Sequence, residues 1–442
     1  MTDERFRETD AFLKLVAQRL RQQGVTNLEA VELGLREALF KDGRQLLEDL
    51  YRQADWPVPG DAGRPGEKRH PDRAKDIHTL FGRIRLRRPY YYHPATGQGR
   101  CPLDQALGLT ESFSPAVVRL AARAAASAGY ETASQDLRAQ AGLALEGRQI
   151  HRLVNAVAPQ VARQLEQGAV SAAPVPILYV EVDGTGVPMV AAELTGRAGK
   201  QADGAALTRE VKLGAVFTQT HTDAEGLPER DHASTTYVGS FEPAADFGRR
   251  VRREAQRRGS SRAGQVVLIG DGAAWIWELA RVNFPQARCI LDLYHALERV
   301  HALAEGLYGA DTPWARRMQH TWTEQLKQDQ VGELIATARR RLADLGPPPE
   351  DALEKQIAFF EHHQDKMRYQ TYRNQGLFYG SGVIEAGCKS VVGQRLKESG
   401  MFWTETGATN VLHLRLALKS NRWDDCWNRL HHADPLPSQL AA

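Results

Sequence analysis

Apolar residues recur with two different periods along the N-terminal part of the chain. Residues 1–54 carry them at helical spacing on one stripe, which predicts two amphipathic helices. The glycine- and proline-rich run from Trp56 to Pro71 breaks this pattern and predicts a linker or a long loop. Between Leu80 and Tyr92 the period becomes two, because Ile84 and Leu86 alternate with arginines. We therefore expect a small β-ribbon with one apolar and one basic face.

Three helical pieces follow in residues 110–168. Ser114 is placed to cap the first, Gly142 ends the second, and the third begins after Gly147. Three short helices with polar side chains at the front of the last are typical of a helix-turn-helix module, whose last helix reads DNA. An ordinary three-helix spacer fits the pattern equally well. The candidate base-reading side chains are Arg148, Gln149, His151 and Arg152.

From residue 177 onwards, short apolar strands alternate with helices. The predicted order is β-β-β-α-β-α-β followed only by helices, which favours an α/β domain. The predicted strands are Ile177–Asp183, Val211–Thr218, Ser234–Ser240, Gln265–Gly270 and Ala287–Asp292. Residues 300–374 are helical and highly charged, and Gly380-Ser381-Gly382 opens a final long helix from Val383.

Composition narrows the class of protein. With 25% charged and 42% hydrophobic residues among 442, the chain is globular rather than disordered or fibrous. It shows no apolar run long enough to cross a bilayer and no signal peptide at its start, so we expect a cytoplasmic protein. The net charge of +3 does not by itself indicate a nucleic-acid-binding protein. The cysteines form no CxxC pair, which argues against a disulfide scaffold or a zinc ribbon: Cys101, Cys289, Cys388 and Cys426.

Three acidic residues are candidates for chemistry. Asp183-Gly184 and Asp271-Gly272 each end a predicted strand, and Glu385 lies one turn into the last predicted helix. Because functional groups gather at the carboxyl ends of strands in an open sheet, we expect the three carboxylates to converge. Converging carboxylates repel one another unless cations lie between them, and two Mg²⁺ ions would serve. Taken singly, each Asp-Gly could be a simple turn, and Glu385 could form a surface ion pair with Lys389.

The segments around these acids resemble the DDE-type transposases of bacterial insertion sequences, and in particular the ISKra-type family. The matching segments are VEVDGTGVP around Asp183, GDGAAWIW around Asp271, LDLYH at Asp292–His295, GSGVIEAGCK around Glu385 and the later QRLKESGMFW. The resemblance implies that Asp183, Asp271 and Glu385 form the metal-binding catalytic triad of an RNase H-like core. It implies two Mg²⁺ ions, for which Mn²⁺ substitutes, and an all-α insertion between the fifth strand and Glu385.

A further pair, Asp292-x-x-His295, resembles the C/DxxH signature of Mutator-type transposases. The spacing places both residues on one helix face. By the resemblance His295 lies near the metals, where it could position the scissile phosphate or tune Asp271. The alternative is that Asp292 caps its helix and His295 is packed.

The ribbon departs from the family pattern. Relatives often carry a CxxC-like pair there, whereas this chain has His93-Pro94-Ala95-Thr96, with Cys101 beyond. A tetrahedral zinc site needs four N or S ligands, so we expect a zinc-free hairpin. Basic residues of the ribbon, and basic and aromatic residues after Glu385, are the remaining candidate DNA contacts. These are Arg83, Arg85, Arg87, Lys389, Arg395, Lys397 and Trp403.

Together these inferences predict an α/β fold with an RNase H-like core, which is a mixed five-stranded sheet with flanking helices. The predicted segments are 1–75 (helices and linker), 76–109 (basic β-ribbon), 110–172 (helix-turn-helix region), 173–299 (first part of the core), 300–375 (all-α insertion) and 376–442 (terminal helix with the third acid). We expect a transposase, acting as a homodimer or higher oligomer on double-stranded DNA. It would bind terminal inverted repeats and catalyse metal-dependent strand cleavage and strand transfer. The alternatives are an RNase H-like nuclease or resolvase without strand transfer, and a catalytically inert, transposase-derived DNA-binding protein.

Overall fold

A computed structural model describes residues 6–24, 27–53, 58, 60–167, 174–197, 206–345 and 351–431. The chain divides into two units, one formed by Met1–Gln160 with Trp427–Ala442 and the other by Val161–Cys426. Within the described ranges no helix has both the length and the apolarity that a membrane span requires.

The first unit contains helices and one small sheet. Its elements are α1 (Arg7–Gln23), α2 (Leu28–Gln53), β1 (Lys68–Thr79), β2 (Gly82–His93), β3 (Gln98–Arg100), α3 (Pro102–Ala106), α4 (Pro115–Ser127), α5 (Tyr130–Ala141) and the start of α6 (Gly147–Glu166). The two N-terminal helices are present, as the amphipathic pattern predicts. The hydroxyl of Ser114 accepts a hydrogen bond from the backbone N–H of Val117, which confirms the predicted cap. Gly142 ends α5 at φ +68°, a conformation that favours glycine.

The ribbon is larger than the sequence predicts. The predicted loop from Trp56 to Pro71 is wrong at its end, because β1 already begins at Lys68, whereas Trp56 itself lies outside the described residues. The two long strands are antiparallel, with Lys68 opposite Tyr92, and the register shifts between His70 and Arg73. Pro71 falls inside this irregularity, where its missing N–H costs no regular ladder bond. Pro71 made the sequence pattern resemble a loop, although it lies at a bulge in the edge strand β1.

The second unit carries the main sheet, its crossover helices and a helical insertion. Its strands are β4 (Ile177–Pro188), β5 (Thr208–Gln219), β6 (His221–Thr222), β7 (Pro228–Glu229), β8 (Thr236–Ser240), β9 (Gln265–Gly270) and β10 (Arg288–Leu291). Its helices up to the insertion are α7 (Ala244–Arg257), α8 (Ala274–Asn283) and α9 (Leu293–Tyr308). The helices that follow are α10 (Pro313–Lys327), α11 (Val331–Asp344), α12 (Asp351–His363), α13 (Tyr369–Asn374), α14 (Gly382–Gly387), a π-helix (Cys388–Gly393), α15 (Gln394–Leu396), α16 (Glu405–Lys419) and the start of α17 (Trp423–His431), whose residues from Trp427 on belong to the first unit. Single 3₁₀ turns lie at Ala191–Glu193, His232–Ser234, Ser260–Arg262 and Gln364–Lys366.

The main sheet is mixed, with strand order β10-β9-β4-β5-β8. β4, β5 and β8 form an antiparallel meander, and β9 and β10 add parallel strands on the other side of β4. Alternate residues of β4 face opposite cores. Leu178, Val180 and Val182 pack with α7 and α8, whereas Tyr179 packs with Phe217 and the insertion helices. The predicted sequence of strands and helices and the five-stranded mixed sheet are confirmed.

Two predicted boundaries near the acids are wrong. β4 does not end at Asp183 but continues to Pro188, because β5 supplies a partner along its whole length. Its pairing with β9, however, stops at Glu181, so Asp183 lies just beyond the end of the parallel ladder. The predicted long final helix is also interrupted, since the π-helix Cys388–Gly393 separates α14 from α15 and the chain then leaves the helix.

Candidate active site

Asp183 is held at the point where β4 loses its partner β9. Its Oδ1 accepts the backbone N–H of Gly184 at 2.6 Å, and its Oδ2 accepts the thiol of Cys388 at 3.4 Å. Burial raises the pKa of the Asp183 carboxyl above its usual range, and the nearby charge of Asp271 adds to this. Asp183 is therefore a half-buried carboxylate whose two oxygens accept hydrogen bonds from neutral donors.

Asp271 follows β9 directly, at the same edge of the sheet. Its Oδ1 accepts the backbone N–H of Ala273 at 2.9 Å, which fixes the turn into α8. Gly272 adopts φ +101°, and a Cβ there would lie 2.7 Å from a ring carbon of Phe359. Glycine is thus required for the chain to turn away at this point, and the turn leaves the Asp271 side chain only partly buried.

Asp292 is buried and bonds to two other parts of the site. Its Oδ1 accepts the backbone N–H of His295 at 2.8 Å and lies 3.0 Å from the His295 Nδ1. Its Oδ2 accepts the backbone N–H of Ser381, in the loop before α14. Burial alone would raise the pKa of Asp292, but these hydrogen bonds outweigh burial and the pKa is lowered. Asp292 therefore caps α9, as one of the two alternatives predicts.

His295 is not packed into the core, because 39% of its side chain is exposed. The hydrogen bond to Asp292 raises the pKa of His295 to about 9, and the charges of Asp292 and Asp271 act in the same direction. The imidazole is consequently a cation at neutral pH. It provides positive charge beside Asp271 and Asp183.

Glu385 reaches the same region from α14. Its Oε1 accepts the hydroxyl of Ser381 at 3.0 Å, and Ser381 is in turn bonded to Asp292. Burial raises the pKa of the Cys388 thiol to about 12, with further contributions from Asp183 and Glu385. The thiol is therefore protonated and donates to Asp183. Within the part of the chain that the structure describes, no ion pair joins Glu385 to Lys389.

The three predicted metal ligands have suitable chemistry, but their side chains are too far apart in this structure to share one metal ion. Asp183, Asp271 and Glu385 supply carboxylate oxygens, the donors that Mg²⁺ prefers. Among the described residues, however, no three His, Cys, Asp or Glu side chains are grouped closely enough to hold a metal ion. Burial is the main cause of the raised pKa of Asp183, and repulsion from the like charge of Asp271 adds to it.

The comparisons with known proteins identify a family. The model of an uncharacterised protein family, UPF0236, matches residues 21–426, which is most of the chain. The chain belongs to this family. A search of curated proteins finds no match. Among solved structures, the UPF0236 chain is similar to the Drosophila P element transposase strand transfer complex, at 11% identity over 74% of this chain and 82% of that chain, with a TM-score of 0.27. A TM-score this low does not establish a shared fold.

Sequence reasoning missed Glu181, a fully buried acid of the UPF0236 chain. Its Oε2 accepts the backbone N–H of Ile384 at 2.8 Å, at the start of α14, whereas its Oε1 has no hydrogen-bond partner among the described residues. Burial raises the pKa of Glu181 to about 8, so the side chain is largely neutral at pH 7. Tyr179, Glu181 and Asp183 alternate along β4 and contact Phe378, Ile384 and Cys388 in turn. A lone Glu inside the apolar run Ile177–Val182 was the available signal.

Two of the predicted DNA contacts after Glu385 are wrong. Arg395 is only 1% exposed, and its guanidinium lies over the ring of Trp403. Trp403 is 8% exposed and donates its indole N–H to the carbonyl of Leu396, so neither side chain can reach DNA. Lys389 and Lys397 are exposed, and the Lys397 ammonium bonds to the hydroxyl of Thr185, two residues beyond Asp183.

The predicted reading helix, α6, begins with side chains of unequal availability. Arg148, His151 and Arg152 are exposed, but Arg152 forms an ion pair with Glu111 at 3.2 Å. The side chain of Gln149 accepts the backbone N–H of Glu146 and so caps its own helix. The Nε2 of His151 lies 3.1 Å from the side-chain nitrogen of Asn155, so Arg148 is the best placed of the four to reach another molecule.

The predicted basic face of the ribbon is exposed but carries its own acids. Arg83, Arg85 and Arg87 project from β2 with 65–69% of each side chain exposed. Arg83 and Arg85 lie 3.7 and 4.0 Å from Asp76, and Arg87 bonds to Asp72. The acids belong to β1 rather than to the N-terminal helices. They neutralise part of the positive charge that makes this face a candidate DNA contact.

Replacing Glu181 tests whether its buried carboxyl acts as a neutral hydrogen-bond acceptor. Glu181→Gln keeps the acceptor for Ile384 and should change the free energy of unfolding by less than about 1 kcal/mol at pH 7. Glu181→Ala leaves that N–H without a partner and should cost roughly 1–3 kcal/mol or more. Urea titration measures both. Equal losses for the two variants would contradict the neutral-acceptor assignment.

Proposed function

We propose that this UPF0236 member is a DDE-type transposase of a bacterial insertion sequence, with Asp183, Asp271 and Glu385 as its catalytic acids. The observation that carries the proposal is their placement. Asp183 lies on β4 just beyond the end of its ladder with β9, and Asp271 directly follows β9. Glu385 belongs to α14 and accepts a hydrogen bond from Ser381. Acids with these origins at one sheet edge are suited to metal-assisted phosphoryl transfer.

An RNase H-like core is the fold assignment that we propose with this function. Its support is the strand order, in which the first three long strands form a meander and the last two add in parallel beside the first. Helices lie on both faces of that sheet. The insertion between β10 and α14 contains helices joined by loops and no strand in its described residues.

Asp183, Asp271 and Glu385 would hold Mg²⁺ in this proposal. When bound, the ions would lower the pKa of a water molecule and neutralise charge on the phosphate. The remaining residues serve the same reaction. His295 offers a cationic donor for a phosphate oxygen, and the protonated Cys388 thiol orients Asp183.

In the proposal two parts of the chain bind DNA, one after Glu385 and one before the main sheet. Lys389 and Lys397 are exposed on the segment that carries Glu385 and could contact the backbone of a strand at the acids. Helices α4, α5 and α6 would form the helix-turn-helix module, with Arg148 and His151 towards DNA. Because a transposase must hold two element ends at once, we expect a homodimer or a higher oligomer.

Two alternatives make different products. A nuclease or resolvase would cleave DNA without joining it, and an inert DNA-binding protein would do neither. A plasmid assay with a labelled element end separates cleavage from strand transfer, since only a transposase produces joined products. Binding of the end without either product would favour the inert protein.

Neutral substitution of the acids tests the active site. Asp183→Asn, Asp271→Asn and Glu385→Gln should each lower cleavage by roughly 10³-fold or more, because the three act as one unit. Combining two of them should lower it little further. End binding should persist, since shape is kept. The matched control is Glu278→Gln, a surface acid of α8 paired with Arg281, which should cleave normally. A triad variant with near-wild-type cleavage would remove that residue from the site.

Chelation tests the metal and the ribbon together. EDTA should stop cleavage, and Mg²⁺ or Mn²⁺ should restore it, because the acids need a cation to bind the phosphate. The ribbon should remain folded, because we expect no zinc in it. Circular dichroism and limited proteolysis near residues 93–101 report on the ribbon. Unfolding of the ribbon in EDTA would show that a zinc site had been overlooked.

Replacing Arg148 tests sequence recognition. Arg148→Ala should weaken binding to the element end by about 1–3 kcal/mol if the side chain makes a bidentate base contact. Binding to unrelated duplex should change little. The control is Arg152→Ala, which removes a side chain already paired with Glu111. Equal losses on specific and unrelated DNA would reassign Arg148 to phosphate contact.

A further inference from the structure

A second face of the ribbon contains a polar cavity that the proposed function does not use. The cavity has a volume of about 390 Å³ and is bordered by Arg73, Lys75, Arg88, Tyr90, Gly99 and Asp104, among others. Arg88 continues the alternation of Ile84 and Leu86 and so lies on the side opposite Arg83, Arg85 and Arg87. We propose that this cavity, here called the ribbon pocket, binds a phosphate group.

The charges around the ribbon pocket are not balanced. Arg73, Lys75 and Arg88 supply three positive charges, against the single carboxylate of Asp104. Arg100 also borders the cavity, but its guanidinium is paired with Glu67 at 2.7 Å and adds no net charge. Three cations and one carboxylate give a net charge of +2, which would balance the charge of a phosphate dianion.

Asp104 orders the pocket without filling it. Its Oδ1 accepts the Nε–H of Arg88 at 2.7 Å, and its Oδ2 accepts Arg88 Nη2 and Lys75 Nζ, both at 3.0 Å. Arg88 is only 7% exposed, and it also donates from Nη1 to the carbonyl of Arg73 at 2.8 Å. These contacts use three of its five N–H groups and hold the guanidinium rigid. A preorganised guanidinium suits the geometry of a phosphate.

Arg73 supplies the accessible cation. Its side chain is exposed, and its guanidinium lies 4.3 Å from the centre of the Tyr90 ring. Stacking on the ring fixes the plane of the guanidinium while leaving its N–H edge available. Gly99 is needed beneath the ring, because a Cβ there would lie 1.8 Å from the Tyr90 hydroxyl. Glycine thus lets Tyr90 lie against β3 and form one wall of the cavity.

The opposite face of the ribbon lacks these properties. Its three arginines share Asp76 and Asp72, so their net charge is one, and each is more than half exposed. Exposed pairs in water contribute little and are easily screened. A phosphate therefore gains more in the ribbon pocket, where a buried arginine and a stacked arginine are already ordered.

The test uses matched charge removal on the two faces of the same ribbon. Arg73→Gln/Lys75→Gln removes two charges from the pocket, and Arg83→Gln/Arg85→Gln removes two from the opposite face. Inorganic phosphate is titrated into each full-length protein by calorimetry. The pocket variant should weaken phosphate binding by about tenfold or more, and the control by less than about twofold. Because Lys75 also bonds to Asp104, the single Arg73→Gln is measured too, and should show a loss in the same direction without a change in melting temperature.

A second arm identifies the source of the phosphate. Salt titration of binding to a random duplex should show a slope reduced by about 0.9 per lost contact in the pocket variant if the phosphate belongs to DNA. Loss of inorganic phosphate binding with an unchanged slope would assign the pocket to free phosphate or a nucleotide. No phosphate binding by the unaltered protein at millimolar concentration, or equal losses on the two faces, would overturn the proposal. Neither readout needs DNA cleavage, so failure of the transposase proposal would be recognised separately.

Discussion

The buried carboxylate of Asp292 is the interaction on which the geometry of the candidate site depends. The backbone N–H of Asp292 donates to the carbonyl of Gly270, at the end of β9. The side chain of Asp292 caps α9 and accepts a hydrogen bond from Ser381. A single carboxylate thus connects the strand before Asp271, the helix that carries His295 and the loop that leads to Glu385. These segments are distant in sequence, and a buried charge at their junction is tolerated because each oxygen is hydrogen-bonded.

The electrostatics of the site follow from this arrangement. Asp292 makes His295 a cation, and His295 in turn lowers the cost of placing Asp183 and Asp271 at one edge. Two neighbouring groups that could add negative charge stay protonated, since burial raises the pKa of both Glu181 and Cys388. The two groups therefore add little negative charge beside Asp183.

The order of elements in the second unit could be predicted from the sequence because each strand is a short apolar run bounded by glycine or a charge. The prediction failed where tertiary contacts override the local preference of the sequence. Asp183 was placed at the end of its strand because Asp-Gly favours a turn, but the partner strand β5 overrides that local preference. Arg395 and Trp403 read as surface residues, yet they stack on one another in the interior. The end of a strand and the burial of a side chain depend here on which segments pack together. A single sequence does not reveal that packing.

Buried hydrogen bonds from Arg415 account for the π-helix after Glu385. The guanidinium of Arg415, from α16, donates to the carbonyls of Ser390 and Val391, which lie within the π-helical segment. A buried donor that takes backbone carbonyls competes with the regular i to i−4 ladder, and one inserted residue relieves that competition. Arg415 lies beside Arg395, and burial together with that neighbour's charge lowers its pKa to about 10. The bond to the helix carbonyls therefore also compensates a buried cation. Lys397, directly after α15, reaches the hydroxyl of Thr185, two residues beyond Asp183.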